Sequence, residues 1–285
     1  MKILLSGANG RTGRPIIAAL ANKHITVRAF IRDKIQEEAL KTVGASEFSI
    51  GDMMDQESID RAVKGCDKVI HIGPPMHPNE VEITQSFINA ALKADVKHFI
   101  YYSVMHPLRR DVRHHKLKLD AEEALIESGL PYTILQPSRY MQHLEAIWQT
   151  VKESGVHAMP FDINKKFNVV DLFDLAEATA IVAASGEHLY ATYELAGPES
   201  LSQLDMAETI SKIIGRPVTA KAISMADLEA GARKKGFSDD RIGQMIAMNK
   251  HYDEYGFLGN SNVLSMILGR QPNRFANYVA SLDGV

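Results

Sequence analysis

Thiol is nearly missing from this chain: one cysteine, Cys66, in 285 residues. No internal disulfide can form, which agrees with a reducing cytoplasm. Cys66 stands in Lys64-Gly65-Cys66-Asp67 just before a strand-like run, the setting of a half-buried structural thiol. No apolar run approaches the roughly 20 residues that span a bilayer, and Met1-Lys2 opens directly on a strand, so no leader peptide is expected. Charge of one sign is lacking as well. Lys and Arg number 32 against 35 Asp and Glu, a formal net charge of −3, so there is no footprint for nucleic acid or an anionic membrane. The 11 histidines include no His-x-x-x-His and have no cysteine partner set, so no metal site is expected. His71 and His98 lie in or beside strands and read as packing or surface residues. The absence of a G-x-S-x-G nucleophile elbow argues against a hydrolase. Linkers, repeats and low-complexity tracts are absent. The expectation is a compact soluble cytoplasmic protein that acts on a small molecule.

What is present is concentrated at the start. Lys2-Ile-Leu-Leu-Ser6 is an apolar strand that runs into Gly7-Ala-Asn-Gly10-Arg-Thr-Gly13, and a helix begins at Arg14. Strand, glycine turn and helix in that order make a phosphate cradle. Gly7 permits the tight turn, Gly10 leaves room for the ligand and Gly13 lets helix and strand pack closely. The free N–H groups at the helix start face the anion. The spacing is G-x-x-G-x-x-G, not G-x-G-x-x-G.

Strands are expected at 25–31, 47–50, 68–72, 97–103 and 132–136, and helices at 35–43, 55–64, 80–94 and 113–128. With the first strand this makes six strands alternating with helices, and therefore an α/β fold: a doubly wound parallel sheet with helices on both faces. The boundary is set at residue 137. Residues 1–137 form the dinucleotide-binding domain, and 138–285 a smaller, mostly helical part that covers the substrate and is interleaved with the sheet. Its expected elements are helices at 140–153, 171–184, 202–214, 225–235, 238–252 and 263–268, with extended pieces at 167–170, 192–196 and 217–223.

In order and spacing these motifs resemble the NmrA-like group of atypical short-chain dehydrogenase/reductases. The residues that carry the likeness are the opening glycines, Arg32, Gly51-Asp52, Gly73-Pro74, Tyr101-Tyr-Ser103, Glu122, Ser128-Gly-Leu-Pro-Tyr-Thr133, Val170-Asp171 and Gly197-Pro198. The group includes NADPH-dependent quinone and triphenylmethane-dye reductases, isoflavone-type reductases and redox-sensing regulators; its members occur as monomers and homodimers. The resemblance implies cofactor contacts from Gly7, Asn9, Gly10, Arg11, Thr12, Gly13, Arg32, Asp52, Met53, Ile72, Gly73, Pro74 and Ser103. A carboxylate at the end of the second strand would hold the ribose 2′-hydroxyl of NAD, whereas Arg32 and Arg11 suit the 2′-phosphate of NADP. NADP(H) is the cofactor expected. NAD(H) is the alternative, with Asp33 beside Arg32 as its ribose ligand.

Ordinary members of the superfamily use a serine and a Tyr-x-x-x-Lys pair, and no such pair follows the fifth strand here. Counting back from Glu122 puts Lys118 at the lysine position and His114 at the tyrosine position, with Ser103 near the serine. These three are the catalytic candidates, His114 as proton donor. The cationic run 109–116 also reads as a plain solvated loop and helix start. The acceptor pocket is expected from Met105, His106, Tyr140, His143, Trp148 and Phe161, apolar and aromatic walls that suit a planar aromatic or quinone-like molecule. Hydride transfer to such an acceptor is the leading activity. The rival is a non-catalytic NADP(H) sensor acting through a protein partner. A nucleotide-sugar epimerase is disfavoured, because that chemistry leans on the missing tyrosine.

Overall fold

The structure is a computed structural model and describes residues 1–284. Its first half runs β1 (Lys2–Leu5), α1 (Gly13–Asn22), β2 (Thr26–Ile31), a short 3-10 turn leading to α2 (Glu37–Lys41), β3 (Glu47–Ile50), α3 (Gln56–Val63), β4 (Lys68–His71), α4 (Glu80–Lys93), β5 (His98–Tyr102), α5 (Arg113–Glu127) and β6 (Tyr132–Pro137). The second half adds β7 (Arg139–Tyr140), a 3-10 stretch (Met141–Ile147), α6 (Trp148–Ser154), β8 (Val156–Met159), β9 (Phe167–Val170), α7 (Leu172–Ala184), β10 (Ala191–Leu195), β11 (Glu199–Leu201), α8 (Gln203–Ile214), β12 (Thr219–Ala222), α9 (Met225–Lys234), α10 (Asp239–Tyr255), α11 (Asn262–Leu268) and α12 (Phe275–Asp283).

The main sheet has seven strands in the order β10-β6-β5-β4-β1-β2-β3. The neighbouring pairs from β3 to β6 are parallel. The order 3-2-1-4-5-6 is that of a doubly wound dinucleotide fold, as the alternating pattern of the sequence anticipates. It reverses direction between β1 and β4, and the crevice at the carboxyl ends of those two strands is the standard ligand position. Ile3, Leu4 and Leu5 of β1 and all of β5 are buried, because helices cover both faces of the sheet. Truncating any of these to alanine costs roughly 2–5 kcal/mol.

Two compact units divide the chain. One comprises residues 1–108, 115–136 and 175–193; the other comprises 109–114, 137–174 and 194–285. The chain changes unit between residues 136 and 137, and 175–193 belongs with the first unit. The second unit holds a three-stranded sheet, β11-β9-β7, and the parallel pair β12-β8.

Locally, the second half departs from the sequence pattern in three places. The single helix expected over 140–153 is instead an extended Tyr140 (φ −76°, ψ 135°), a 3-10 stretch and a separate helix that begins after Ile147 (φ −124°, ψ 0°). Strand β8 follows Gly155, which is left-handed (φ 66°), and exists because β12 pairs with it. Helix α12 buries Phe275, Tyr278 and Val279. None of these is marked by strong periodicity. Among the described residues no helix is long and apolar enough to cross a membrane.

Candidate cofactor site and its buried support

The turn after β1 is built around contacts that side chains would obstruct. Gly7 has φ +63°, and a Cβ there would lie 2.8 Å from the Ile72 carbonyl, the first residue beyond β4. At Gly13 a Cβ would fall 2.4 Å from the Gly7 carbonyl and 2.6 Å from that of Ala8. Gly7 and Gly13 therefore hold the turn against its own backbone. Gly10 differs: its Cβ would meet only the Gly7 carbonyl, at 3.1 Å, and the residue is exposed. Its missing side chain leaves room above the turn. The turn is closed by Gly10 N–H to the Gly7 carbonyl (2.9 Å) and Arg14 N–H to the Gly10 carbonyl (3.2 Å).

Helix α1 starts with no side-chain cap from Thr12 and no acidic residue in its first turn. Its amino end is thus uncompensated, as an anion site requires. Asn9 is turned aside and accepts from Arg14 Nη2 at 2.7 Å. The guanidinium groups of Arg11 and Arg32 are exposed, and no described carboxylate pairs with either. Asp33, the ribose ligand that NAD would need, already accepts from the Ile35 N–H at 2.9 Å and caps the 3-10 turn. Asp52 accepts from the Met54 N–H at 2.8 Å, and Met53 is partly buried beside it. Ile72 N–H donates to Ser6 Oγ at 2.9 Å, which fixes the start of the Ile72-Gly73-Pro74 segment against β1. This geometry fits a dinucleotide carrying a 2′-phosphate: a cradle that a Cβ would fill, open N–H groups and two unpaired cations.

Of the catalytic candidates, Lys118 is buried on α5. Its Nζ donates to Glu80 Oε1 (2.7 Å) and to the Tyr102 carbonyl (2.9 Å), and lies 4.9 Å from the centre of the Tyr101 ring. Tyr101 donates to the same Glu80 oxygen at 2.8 Å. Glu80 itself, in the first turn of α4, sits under Gly73, where a Cβ would come within 2.6 Å of the carboxylate. Burial would raise the Glu80 carboxyl, but Lys118, His71 and Tyr101 outweigh it and hold the group ionised, below its ordinary range. Burial and the adjacent Glu80 charge push the Tyr101 phenol well above its usual value, so it stays a donor. His71 stacks on Phe87 at 4.4 Å and burial lowers it to about 3; it is a neutral packing residue, as the sequence suggests.

Sequence reasoning misses Glu80, which in a helix's first turn reads only as a match to the dipole. It is the hub that ties the carboxyl ends of β4 and β5 to α5. Ser103 is buried just beyond β5; Glu122, which burial raises, accepts from the Gln136 amide at 2.9 and 3.0 Å.

His114 is partly buried in the first turn of α5. Its neighbour His115 is fully buried, and its Nδ1 donates to the His106 carbonyl at 2.9 Å, which fixes the tautomer. That bond holds His106 in a left-handed conformation (φ 58°), beside the buried Met105. Of the other expected pocket residues, Tyr140, His143 and Phe161 line one cavity in the second unit. Trp148 is buried but is not among its walls. Among the described residues no group of His, Cys, Asp and Glu could hold a metal ion.

The chain is similar along nearly its whole length to known proteins. A NAD(P)H azoreductase of Xenophilus azovorans is 26% identical over 97% of this chain and 96% of its own length. Quinone oxidoreductase 2 of Escherichia coli strain K12 is 26% identical over 99% of each chain. The crystal structure of an NADPH-dependent quinone oxidoreductase from Escherichia coli in complex with NADPH superposes with a TM-score of 0.87, at 25% identity and 99% coverage of both chains. The NmrA-like family pattern matches residues 1–275, and the chain belongs to the NmrA-like family.

Proposed function

We propose that the protein is an NADPH-dependent reductase of a small aromatic or quinone-like acceptor, with NADH as the weaker donor. The observation that carries the cofactor half is the opening turn: a glycine cradle, an uncapped helix start and the unpaired Arg11 and Arg32 guanidiniums. The acceptor half rests on relatives that are quinone and azo-compound reductases. When bound, the cofactor supplies hydride. The chain's own residues bind and orient it. Gly10 leaves the turn open for the pyrophosphate, α1 presents its N–H groups, and Arg32 and Arg11 engage the 2′-phosphate in the forked geometry suited to phosphate. The Glu80–Lys118–Tyr101 cluster keeps the Ile72–Pro74 and Ser103 segments in register behind the cofactor. Lys118, committed to Glu80 and Tyr102, acts by positioning, and the proton that completes reduction comes from water. Catalysis then rests on placing donor against acceptor.

Two measurements test this together. NADPH oxidation is followed across a panel of quinones, azo dyes and enones, with turnover of at least one planar acceptor expected. Arg32→Ala should weaken NADPH roughly 10- to 100-fold, the size of a charge-assisted bond pair, while NADH changes little. Equal losses for both would remove the 2′-phosphate assignment. Binding without turnover across the panel would remove the reductase assignment and leave a cofactor sensor.

A further inference from the structure

The second unit encloses a cavity of about 30 Å³, room for one or two water-sized groups. Polar side chains from several elements line it, among them Arg139 of β7, His157 of β8 and Gln203 at the start of α8. Gln203 is 1% exposed, and both its amide atoms lack a hydrogen-bond partner; His157 is 4% exposed, and its Nδ1 lacks one too. Buried polar atoms are rarely left unsatisfied, and these belong to two residues of one cavity wall.

The charge decides what occupant the cavity suits. Arg139 is partly buried between the faces of Phe161 and Phe167, at 5.3 and 5.8 Å from the ring centres, and its Nη2 meets the Met159 sulfur at 3.7 Å. No aspartate or glutamate lines the cavity. Burial pulls the guanidinium down to about 10, with only the Tyr252 phenol working the other way, so the group remains a cation without a counter-charge. Aromatic faces offset about 0.5–2 kcal/mol of that, short of the several kcal/mol that enclosing an ion costs. Water could satisfy Gln203 and His157 but could not neutralise Arg139.

We propose that this cavity is a binding site for a small monoanion, a halide or a short carboxylate. The guanidinium supplies the charge. The Gln203 Nε2 and the His157 Nδ1–H tautomer supply donors, and an accompanying water serves Gln203 Oε1. The remaining walls are mostly apolar, among them Leu144, Met206 and Phe275, with Tyr140 and His143 as the other polar residues. Every lining residue belongs to the second unit, and the glycine turn to the first.

The test uses the full chain dialysed into sodium gluconate, whose anion is too large for the cavity. Chloride, bromide, formate and acetate are then added at constant ionic strength while the melting temperature is followed. A saturable rise of several degrees is expected, as for any ligand that binds only the folded state. A response to halides alone identifies a halide site, and a response to formate or acetate alone identifies a carboxylate site. Arg139→Met should melt near the native protein in gluconate and lose the anion response. Gln203→Leu should raise the half-saturating concentration severalfold. Identical melting in all salts, or an undiminished response in Arg139→Met, would overturn the proposal. Should Arg139→Met fail to fold, crystals of the native protein grown in bromide decide: an anomalous peak beside Arg139 supports the site. Water alone in crystals from both bromide and formate refutes it.

Discussion

Lys118→Met is the most informative single perturbation. The substitution keeps most of the buried stem and removes the ammonium. It leaves Glu80 enclosed, with Oε1 held only by Tyr101 and Oε2 already without a partner. The side chains of Glu80 and Lys118 are 3% and 8% exposed, so solvent screens the pair little. Breaking a buried pair from one side costs about 3–5 kcal/mol, a fall of roughly 5–10 °C in Tm for a chain of this size. The pH dependence identifies the cause. In the native protein the folded carboxyl lies below its ordinary value of 4.5, so its contribution is present above that value and fades as pH falls through it. Without Lys118 the desolvated carboxyl takes its proton more readily when folded than when unfolded. The sign reverses: stability is retained at low pH and lost as pH rises past 4.5. The Tm deficit of Lys118→Met should therefore be small near pH 5 and largest near pH 8. Lys118→Met with Glu80→Gln should recover most of it, since no buried charge remains. Thermal melts of the three proteins from pH 5 to 8 measure this. A deficit equal at both ends, or a double variant no better than the single one, would refute the reasoning.

Gly13 and Gly10 of the opening turn should separate by readout. Gly13→Ala forces a Cβ against two carbonyls that cannot move independently, and should cost about 2–3 kcal/mol, seen as a lower Tm. Gly10→Ala meets one contact at 3.1 Å; it should melt normally yet bind NADPH at least about tenfold more weakly, because a buried contact with the cofactor becomes a clash. Equal melting of the two variants would contradict these roles. His114→Ala should keep turnover within about threefold once an acceptor is found, whereas a positioned general acid would be worth about 10²-fold or more; a loss of that size in kcat would make His114 the proton donor.

The fold class and the cofactor turn were legible in the residues because they rest on local rules. Alternating strands and helices leave few chain paths, and a glycine turn between the first strand and first helix of such a sheet is the usual phosphate position. Gly7 and Gly13 are recognisable for the same reason: each is required by backbone conformation or close approach at a fixed offset from a strand end. The second half was legible only in part. The stretch 140–153 is amphipathic enough to read as one helix, yet tertiary pairing of β7 with β9 holds its first residue extended. Strand β8 is created by β12, sixty residues away. The cap that Asp33 Oδ1 makes on the next turn could not be read from the residues.

The amino-acid sequence by itself determined the doubly wound sheet, the dinucleotide cradle and the cation at the end of β2, since backbone sterics and periodicity act within a few residues. Only the tertiary structure decided the state of each ionisable group. Glu80 became the partner of Lys118 across 38 positions, and Arg139 came to face His157 and Gln203 without a carboxylate. Burial and pairing set the charge and reactivity of a side chain, and both are made by residues far apart in the chain.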